Sequence, residues 1–443
     1  MKLSISLLLF MSLLVLFSLP AQAQFDAEFG RSGGAVINAA YRSGTNQVHG
    51  SLWEFHRNAV PNAVGFFKPV SGVKPPLIRN QFGLALGGPI IKDRTFFFLD
   101  YEGFRRVAKD VGFSTLPTLQ QRQGIFAVDV RVPYSFVDST GATIAAGTVF
   151  TAGQRVPMTT FARKVVTELP APNITAGKTE TNFANNFSDL VINRNFNDKF
   201  NVKLDHNFSD KLNGFFRLSH RKVNEFNSPT IPGPSGSGGN GYINVLNQQL
   251  VFGATYAFAN GSAIEARLGV SKIEGGKRPP LSGGPSVREL YGIMGLPEDR
   301  TITGGLTTQT INGFSQIGRQ ATNPQFQNPF TINPRLNYTR TISRHSLKAG
   351  YEYLLVNTDV QDTNPLMGLD TYAGQYSRPT TAGGNTLYNL SDFLFGARSQ
   401  YEFANLLVVE MQRRLHYAYL QDDFKVNNKL TLNLGVRYEF ATP

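Results

Sequence analysis

Six histidines, at positions 49, 56, 206, 220, 345 and 416, are the residues best suited to metal or proton chemistry. A hydrolytic zinc site places two of them one helical turn apart as His-Glu-x-x-His, and no pair here has that spacing. Each therefore reads as a solvated side chain or one lining a polar lumen. Asp422 and Asp423 could hold a cation or share a proton, but neighbouring residues of a strand point to opposite faces, which separates the two carboxylates. The sequence has no Gly-x-Ser-x-Gly nucleophile elbow, no phosphate-binding P-loop and no cysteine. It predicts no enzyme activity, no catalytic residue, no metal and no cofactor.

Function must then come from the elements, and the last stretch, Arg413 to Pro443, shows what they are. Leu415, Tyr417 and Tyr419 alternate with Arg414, His416 and Ala418. After a polar turn at 426–429, Leu430, Leu432, Leu434, Val436 and Tyr438 alternate with Thr431, Asn433, Gly435, Arg437 and Glu439. Period-two alternation on both arms of a tight turn predicts a hairpin of half-buried strands. Each arm has about ten residues, the length of a tilted strand that crosses a bilayer. The same alternation recurs at 50–57, 81–88, 95–101, 198–208, 214–221, 248–258, 263–272, 330–342 and 346–356, with Asp392 to Phe395 beginning another apolar run. The expected fold class is all-β: part of an antiparallel transmembrane β-barrel, about half of a large outer-membrane barrel. Aromatics near the ends of the apolar face mark the interfaces. Trp53, Phe55, Tyr256, Tyr338, Tyr351, Tyr353, Tyr417, Tyr419 and Tyr438 are the expected lipid-facing aromatic positions.

Composition agrees with a membrane wall. Charged residues make up only 17% of the chain against 35 Phe and 16 Tyr, which argues against disorder and for a large apolar surface. The net charge of +12 raises nucleic acid as a partner, but Lys and Arg are scattered at alternating strand positions and in loops. No basic block follows a phosphate backbone, so nucleic acid is excluded. The excess instead lines a lumen or faces an anionic lipopolysaccharide surface.

At the start, Lys2, the apolar run Ser4 to Leu19, the helix-breaking Pro20 and the small-residue site Ala21-Gln22-Ala23 form a secretory signal peptide, with cleavage expected after Ala23. The Gly-rich stretch that follows contains Gly33-Gly34-Ala35-Val36-Ile37-Asn38 and then Ser43-Gly44-Thr45-Asn46. It resembles the closing stretch of the plug domain in TonB-dependent outer-membrane receptors, with Gly33, Gly34, Ile37 and Asn38 as the plug-end motif. Residues 79–105, RNQFGLALGGPIIKDRTFFFLDYEGFR, and the terminal QDDFKVNNKLTLNLGVRYE resemble the opening strands of the barrel in the Oar-like group of those receptors. The resemblance implies a barrel of about twenty-two strands occluded by a plug. It also implies uptake of a bulky nutrient (an iron chelate, cobalamin or an oligosaccharide) driven by the TonB complex.

The expected domains are a signal peptide at 1–23, a remnant of the plug at 24–49 and the N-terminal part of the barrel at 50–443. About ten or eleven strands are visible, and little room remains for a plug, so the TonB complex is a partner only if the missing plug is supplied. The other expected partners are outer-membrane lipid, lipopolysaccharide and an extracellular ligand. Short turns alternate with long loops at 106–195, 228–241, 275–325 and 357–388, as periplasmic turns and extracellular loops do. Within the first loop, Arg155 to Leu169 predicts a short helix. The expected location is the outer membrane of a Gram-negative bacterium. A truncated transporter is the leading expectation; a small passive pore or adhesin, or a secreted glycan-binding β-protein, are the alternatives.

Overall fold

The computed structural model describes residues 27–30, 40–70, 72, 74–236, 241–300 and 302–442. Eleven strands form one sheet in which every strand pairs antiparallel with its neighbours in sequence. They are β1 (His49–Asn58), β2 (Leu77–Ile91), β3 (Thr95–Ser114), β4 (Phe187–Asn207), β5 (Leu212–Asn227) and β6 (Gly241–Ala257). The sheet continues through β7 (Ser262–Arg278), β8 (Gln325–Ile342), β9 (His345–Gln361), β10 (Val409–Asn427) and β11 (Leu430–Ala441). The connections at 92–94, 208–211, 258–261, 343–344 and 428–429 are tight and lie at one end of the sheet. Gly261 takes a φ of 78° in its turn, a conformation that only glycine adopts freely. The connections at 59–76, 115–186, 228–240, 279–324 and 362–408 all lie at the other end.

Register assigns the faces, because residues directly opposite each other project on the same side. Leu99, Val202, Leu218, Leu250, Val270, Ile332 and Leu355 stand in one row across β3 to β9. The row next to it, one residue along each strand, runs Asp100, Asn201, Ser219, Gln249, Ser271 and Thr331 and projects on the other side. One face is thus apolar and the other polar over most of the sheet. The apolar face is open: Leu336 is 50%, Leu420 56%, Leu434 60% and Val436 66% exposed. An apolar surface of that extent is foreign to a water-soluble monomer. Among the described residues no helix is long and apolar enough to cross a membrane, a test that does not bear on strands.

The buried apolar core lies away from the sheet, in the long connections, which pack together as a head. Leu116, Phe126, Val130, Val156, Val165, Ile231, Leu306, Phe393 and Phe395 belong to one cluster drawn from four of these connections. Two helices anchor it: α1 (Thr160–Glu168), capped by Thr159, and α2 (Thr386–Phe395), which ends at Gly396 in the left-handed region. Burying large side chains is what allows such long connections to adopt one structure. Arg122 ties two of the segments together, its guanidinium donating to the carbonyls of Pro117, Leu169 and Pro170 at 3.0, 2.7 and 2.6 Å. Burial lowers the pKa of that guanidinium to about 10.

Several expectations change. Asp392 to Phe395 is the last turn of α2 and not the start of a strand, since Leu390, Phe393, Leu394 and Phe395 are buried together in the head. The first long loop is shorter than 106–195, because β3 and β4 remain paired as far as Ser114 and Phe187. The polar residues there are strand extensions beyond the apolar band. The helix expected within 155–169 forms at Thr160–Glu168 and packs into the head.

Candidate functional site

The polar face carries many charged side chains and holds a piece of the chain against them. Residues 27 and 28 lie across β8 to β11. The Ala27 amide donates to Gln421 Oε1 at 2.6 Å, and Arg437 Nη1 donates to the carbonyls of Ala27 and Glu28 at 3.3 and 3.0 Å. The Glu28 carboxylate stands 3.7 Å from Arg335, which also pairs with Glu352 at 2.9 Å. Arg437 pairs with Glu439 at 2.7 Å and lies over the Tyr417 ring, 4.7 Å from its centroid. These arginines retain little exposure, 25% for Arg335 and 13% for Arg437, so the interactions are only partly screened by water.

Residues 40–46 cross the same face further along. Tyr41 donates to Asn201 Oδ1 at 3.3 Å, with Arg217 4.2 Å above its ring. Lys203 Nζ donates to Ser43 Oγ at 2.6 Å, and the Asp93 amide donates to Asn46 Oδ1 at 2.8 Å. Gly44 fits because it lies flat against the backbone of β2 and β3; a Cβ there would stand 2.3 Å from the Phe97 carbonyl oxygen. The motif Ser43-Gly44-Thr45-Asn46 therefore seats directly on the wall. Gly33, Gly34, Ile37 and Asn38, and the cleavage residues Ala21 and Ala23, lie outside the described residues.

The aromatic positions divide between the faces. Tyr256 lies opposite Ile264, Tyr338 opposite Ala349, Tyr351 opposite Leu336, Tyr353 opposite His416 and Tyr438 opposite Ala418, all on the apolar face. The other four correct the expectation. Tyr417 lies opposite Glu439 and Tyr419 opposite Arg437, which places both on the polar face, where they are 3% and 9% exposed. Trp53 lies opposite Gly83, which lies opposite Glu102, so Trp53 and Phe55 also project on the polar side. The physical reason is that β1 and β10 carry large residues on both faces. Alternation within either strand cannot settle the side, whereas pairing with β2 and β11 does.

A recurrent device locks these rings in place: an aromatic side chain on one strand lies over a glycine on the next. A Cβ on Gly83 would stand 2.4 Å from the Trp53 ring, on Gly103 2.6 Å from Phe82, on Gly253 2.2 Å from Phe215 and on Gly350 2.3 Å from Tyr419. Tyr419 then reaches Asn337 Oδ1 at 3.1 Å with its hydroxyl. The sequence shows these glycines, but the directly opposite pairs that use them depend on register.

The charged side chains of the sheet work in pairs. Among the described residues no group of three or more His, Asp and Glu could hold a metal ion. Asp422 meets His345 at 2.6 Å on the apolar side and Asp423 meets Lys348 at 3.1 Å on the polar side, so the two carboxylates work separately. His416 meets the Tyr351 hydroxyl at 2.7 Å, and His206 meets the Thr95 hydroxyl at 2.8 Å, as structural partners.

A family model described as "Outer membrane beta barrel domain" matches residues 40–443. The chain is 25% identical over 453 residues to the TonB-dependent transporter Oar of Myxococcus xanthus, covering 93% of this chain and 38% of that relative. It thus spans about two fifths of the length of the relative it matches. Among solved structures it is similar to the siderophore receptor PirA from Acinetobacter baumannii, at 12% identity and a TM-score of 0.41, over 90% of this chain and 40% of that one. It is also similar to the outer membrane transporter YddB from Escherichia coli, at 10% identity and a TM-score of 0.39, over 83% and 34%.

Proposed function

From the premise that the chain belongs to the outer membrane beta barrel domain family and lies in the outer membrane of a Gram-negative bacterium, we propose that it forms the N-terminal part of the barrel wall of a TonB-dependent transporter. The apolar face meets lipid, with Tyr256, Tyr338, Tyr351, Tyr353 and Tyr438 on that side, and the polar face lines the passage. Residues 24–49 act as the end of the plug, preceded by a signal peptide at 1–23 that is cleaved after Ala23. The motif Gly33, Gly34, Ile37 and Asn38 belongs to that plug end, and residues 50–443 are wall.

The observation that carries this reading is the seating of residues 27–28 and 40–46 on the polar face, through Arg437, Gln421, Lys203 and Asn201. A passive pore keeps its lumen clear, whereas a gated importer holds chain inside it. The cargo class is a bulky nutrient, either an iron chelate, cobalamin or an oligosaccharide, because solutes that pass ordinary pores do not require a gate. The heads of the long connections form the outer surface that such a ligand meets first.

The test is uptake by cells that carry the native gene, with and without a working TonB complex, using each of the three cargo classes as sole source. Uptake that disappears with TonB supports the reading. Uptake indifferent to TonB, or free permeation by small sugars through the protein, overturns it in favour of a passive pore.

A further inference from the structure

On the apolar side of β5 to β9, the strands run beyond the apolar rows and form a cavity of about 660 Å³ with Ser282, Gly283, Arg300 and Ile302 of the long connection after β7. Its position follows from register. Asn224, Asn244, Gly276, Phe326 and Gln361 stand in one row across five strands. That row is six residues further towards the long connections than the apolar row Leu218, Leu250, Val270, Ile332 and Leu355, or about 20 Å along the strands. The cavity therefore sits above the hydrocarbon, at the level of lipid headgroups.

Its lining has a definite chemistry. Lys222, Lys277, Arg278 and Arg300 supply cations; Arg300 pairs with Glu289 at 3.1 Å, Lys277 donates to the Thr322 hydroxyl at 2.9 Å, and Lys222 stands opposite Asp198 on the neighbouring strand. The one carboxylate in the lining, Glu274, is paired with Lys272 at 2.5 Å. Gln361 also lines the cavity; it is 1% exposed, and neither its amide oxygen nor its amide nitrogen has a partner. A buried primary amide left without partners is costly in a folded protein and suits a ligand that both donates and accepts. Hydroxyl groups do both, and the cluster of cations suits phosphate.

We propose that this cavity binds the phosphorylated sugar headgroup of an outer-leaflet glycolipid whose acyl chains lie along the apolar rows of β5 to β9. One feature selects a lipid over a soluble sugar phosphate: the cavity opens on the lipid side of the wall, the face that carries the apolar rows, from which the row His220, Gln248, Lys272, Phe330 and Asn357 separates it. The inference rests on placement in the outer membrane and not on import, so loss of uptake with binding intact leaves it standing.

The test is a titration of the full chain, folded in detergent micelles, with lipid A, dephosphorylated lipid A and free glucosamine 1-phosphate. Lipid A should bind, with affinity falling about fivefold for each cation removed in Lys222→Ala and Arg278→Ala. Lys222→Arg should keep affinity, and Arg288→Ala, outside the cavity, should not alter it. Gln361→Leu, which removes the amide but no charge, should also weaken binding. Equal affinity for dephosphorylated lipid A, or indifference to the Lys222 and Arg278 substitutions, overturns the proposal. Binding of glucosamine 1-phosphate as tight as that of lipid A overturns the lipid source.

Discussion

Arg437 holds Glu28 by its backbone carbonyl, at 3.0 Å, and leaves the Glu28 carboxylate to Arg335 at 3.7 Å. The segment is thus gripped twice, once through an atom that any residue at 28 would offer and once through its own charge. Arg437→Ala should loosen residues 27–28 by about 1.5–3 kcal/mol, the usual worth of hydrogen bonds to a charged group. Hydrogen exchange of that segment measures it. Glu28→Gln should have a smaller effect, and unchanged exchange in Arg437→Ala would show that the backbone grip contributes nothing of its own.

Trp53 is the only tryptophan in the chain and projects on the polar face. Its fluorescence in vesicles should be quenched by acrylamide in water and left unchanged by brominated lipid tails. Tyr438→Trp, in a Trp53→Phe background, should show the reverse. Quenching of Trp53 by lipid would return it to the apolar side.

Gly350→Val should destabilise the sheet by about 1–3 kcal/mol, because the side chain must displace the ring of Tyr419. Gly269→Val is the contrast, since the nearest atom to a Cβ there is 3.8 Å away, an ordinary contact. Loss of heat-modifiable mobility against temperature compares the two. Equal transitions would show that the ring-over-glycine contact is dispensable.

Asp392 is buried in α2, and burial raises its pKa above the ordinary carboxylate value even though the amides of Tyr376 and Ser377 donate to it. The folded head therefore binds the proton more tightly than the unfolded chain. This group's contribution to stability is complete below the unfolded pKa and is lost as pH rises through the folded one. Urea melts of the wild type should show the head weakening from acid towards neutral pH, and Asp392→Asn should flatten that part of the profile. A profile unchanged by the substitution would assign the pH dependence to other groups.

Arg319 is 5% exposed, and none of its three guanidinium nitrogens has a partner; burial alone lowers its pKa to about 10. Replacing even a buried ion pair by apolar groups of similar volume is neutral or stabilising, by about 1–4 kcal/mol, and an uncompensated charge has less attraction to lose. Arg319→Met should therefore keep or raise the melting temperature of the head. A fall of several degrees would show that the guanidinium has a role in holding the connections together.

The wall was legible in the sequence because its signal is local. Residues such as Leu430 to Tyr438 reveal a strand without knowledge of any partner, and the tight turn at 260–261 announces the hairpin around it. The sidedness of Tyr417, Tyr419, Trp53 and Phe55 was not legible, because it is set by pairing with Glu439, Arg437, Gly83 and Gln81. The head was hidden for a related reason. Its core joins Phe126, Ile231, Leu306 and Phe393 from segments far apart in sequence, and no periodicity links them. Residues 27–28 could not be placed either, since their partners on β8, β10 and β11 lie about three to four hundred residues away.

The sheet has an odd number of strands, and parity has a consequence for its two rims. Strand direction alternates from β1 to β11, so both rim strands run from the side of the tight turns to the side of the long connections. Joined directly, they would meet as a parallel seam, with slanted and slightly weaker hydrogen bonds. A second copy inserted the same way up would meet the first with the same mismatch at both rims. A wall bonded antiparallel all the way round takes an odd number of strands between β11 and β1, the first and last of them descending.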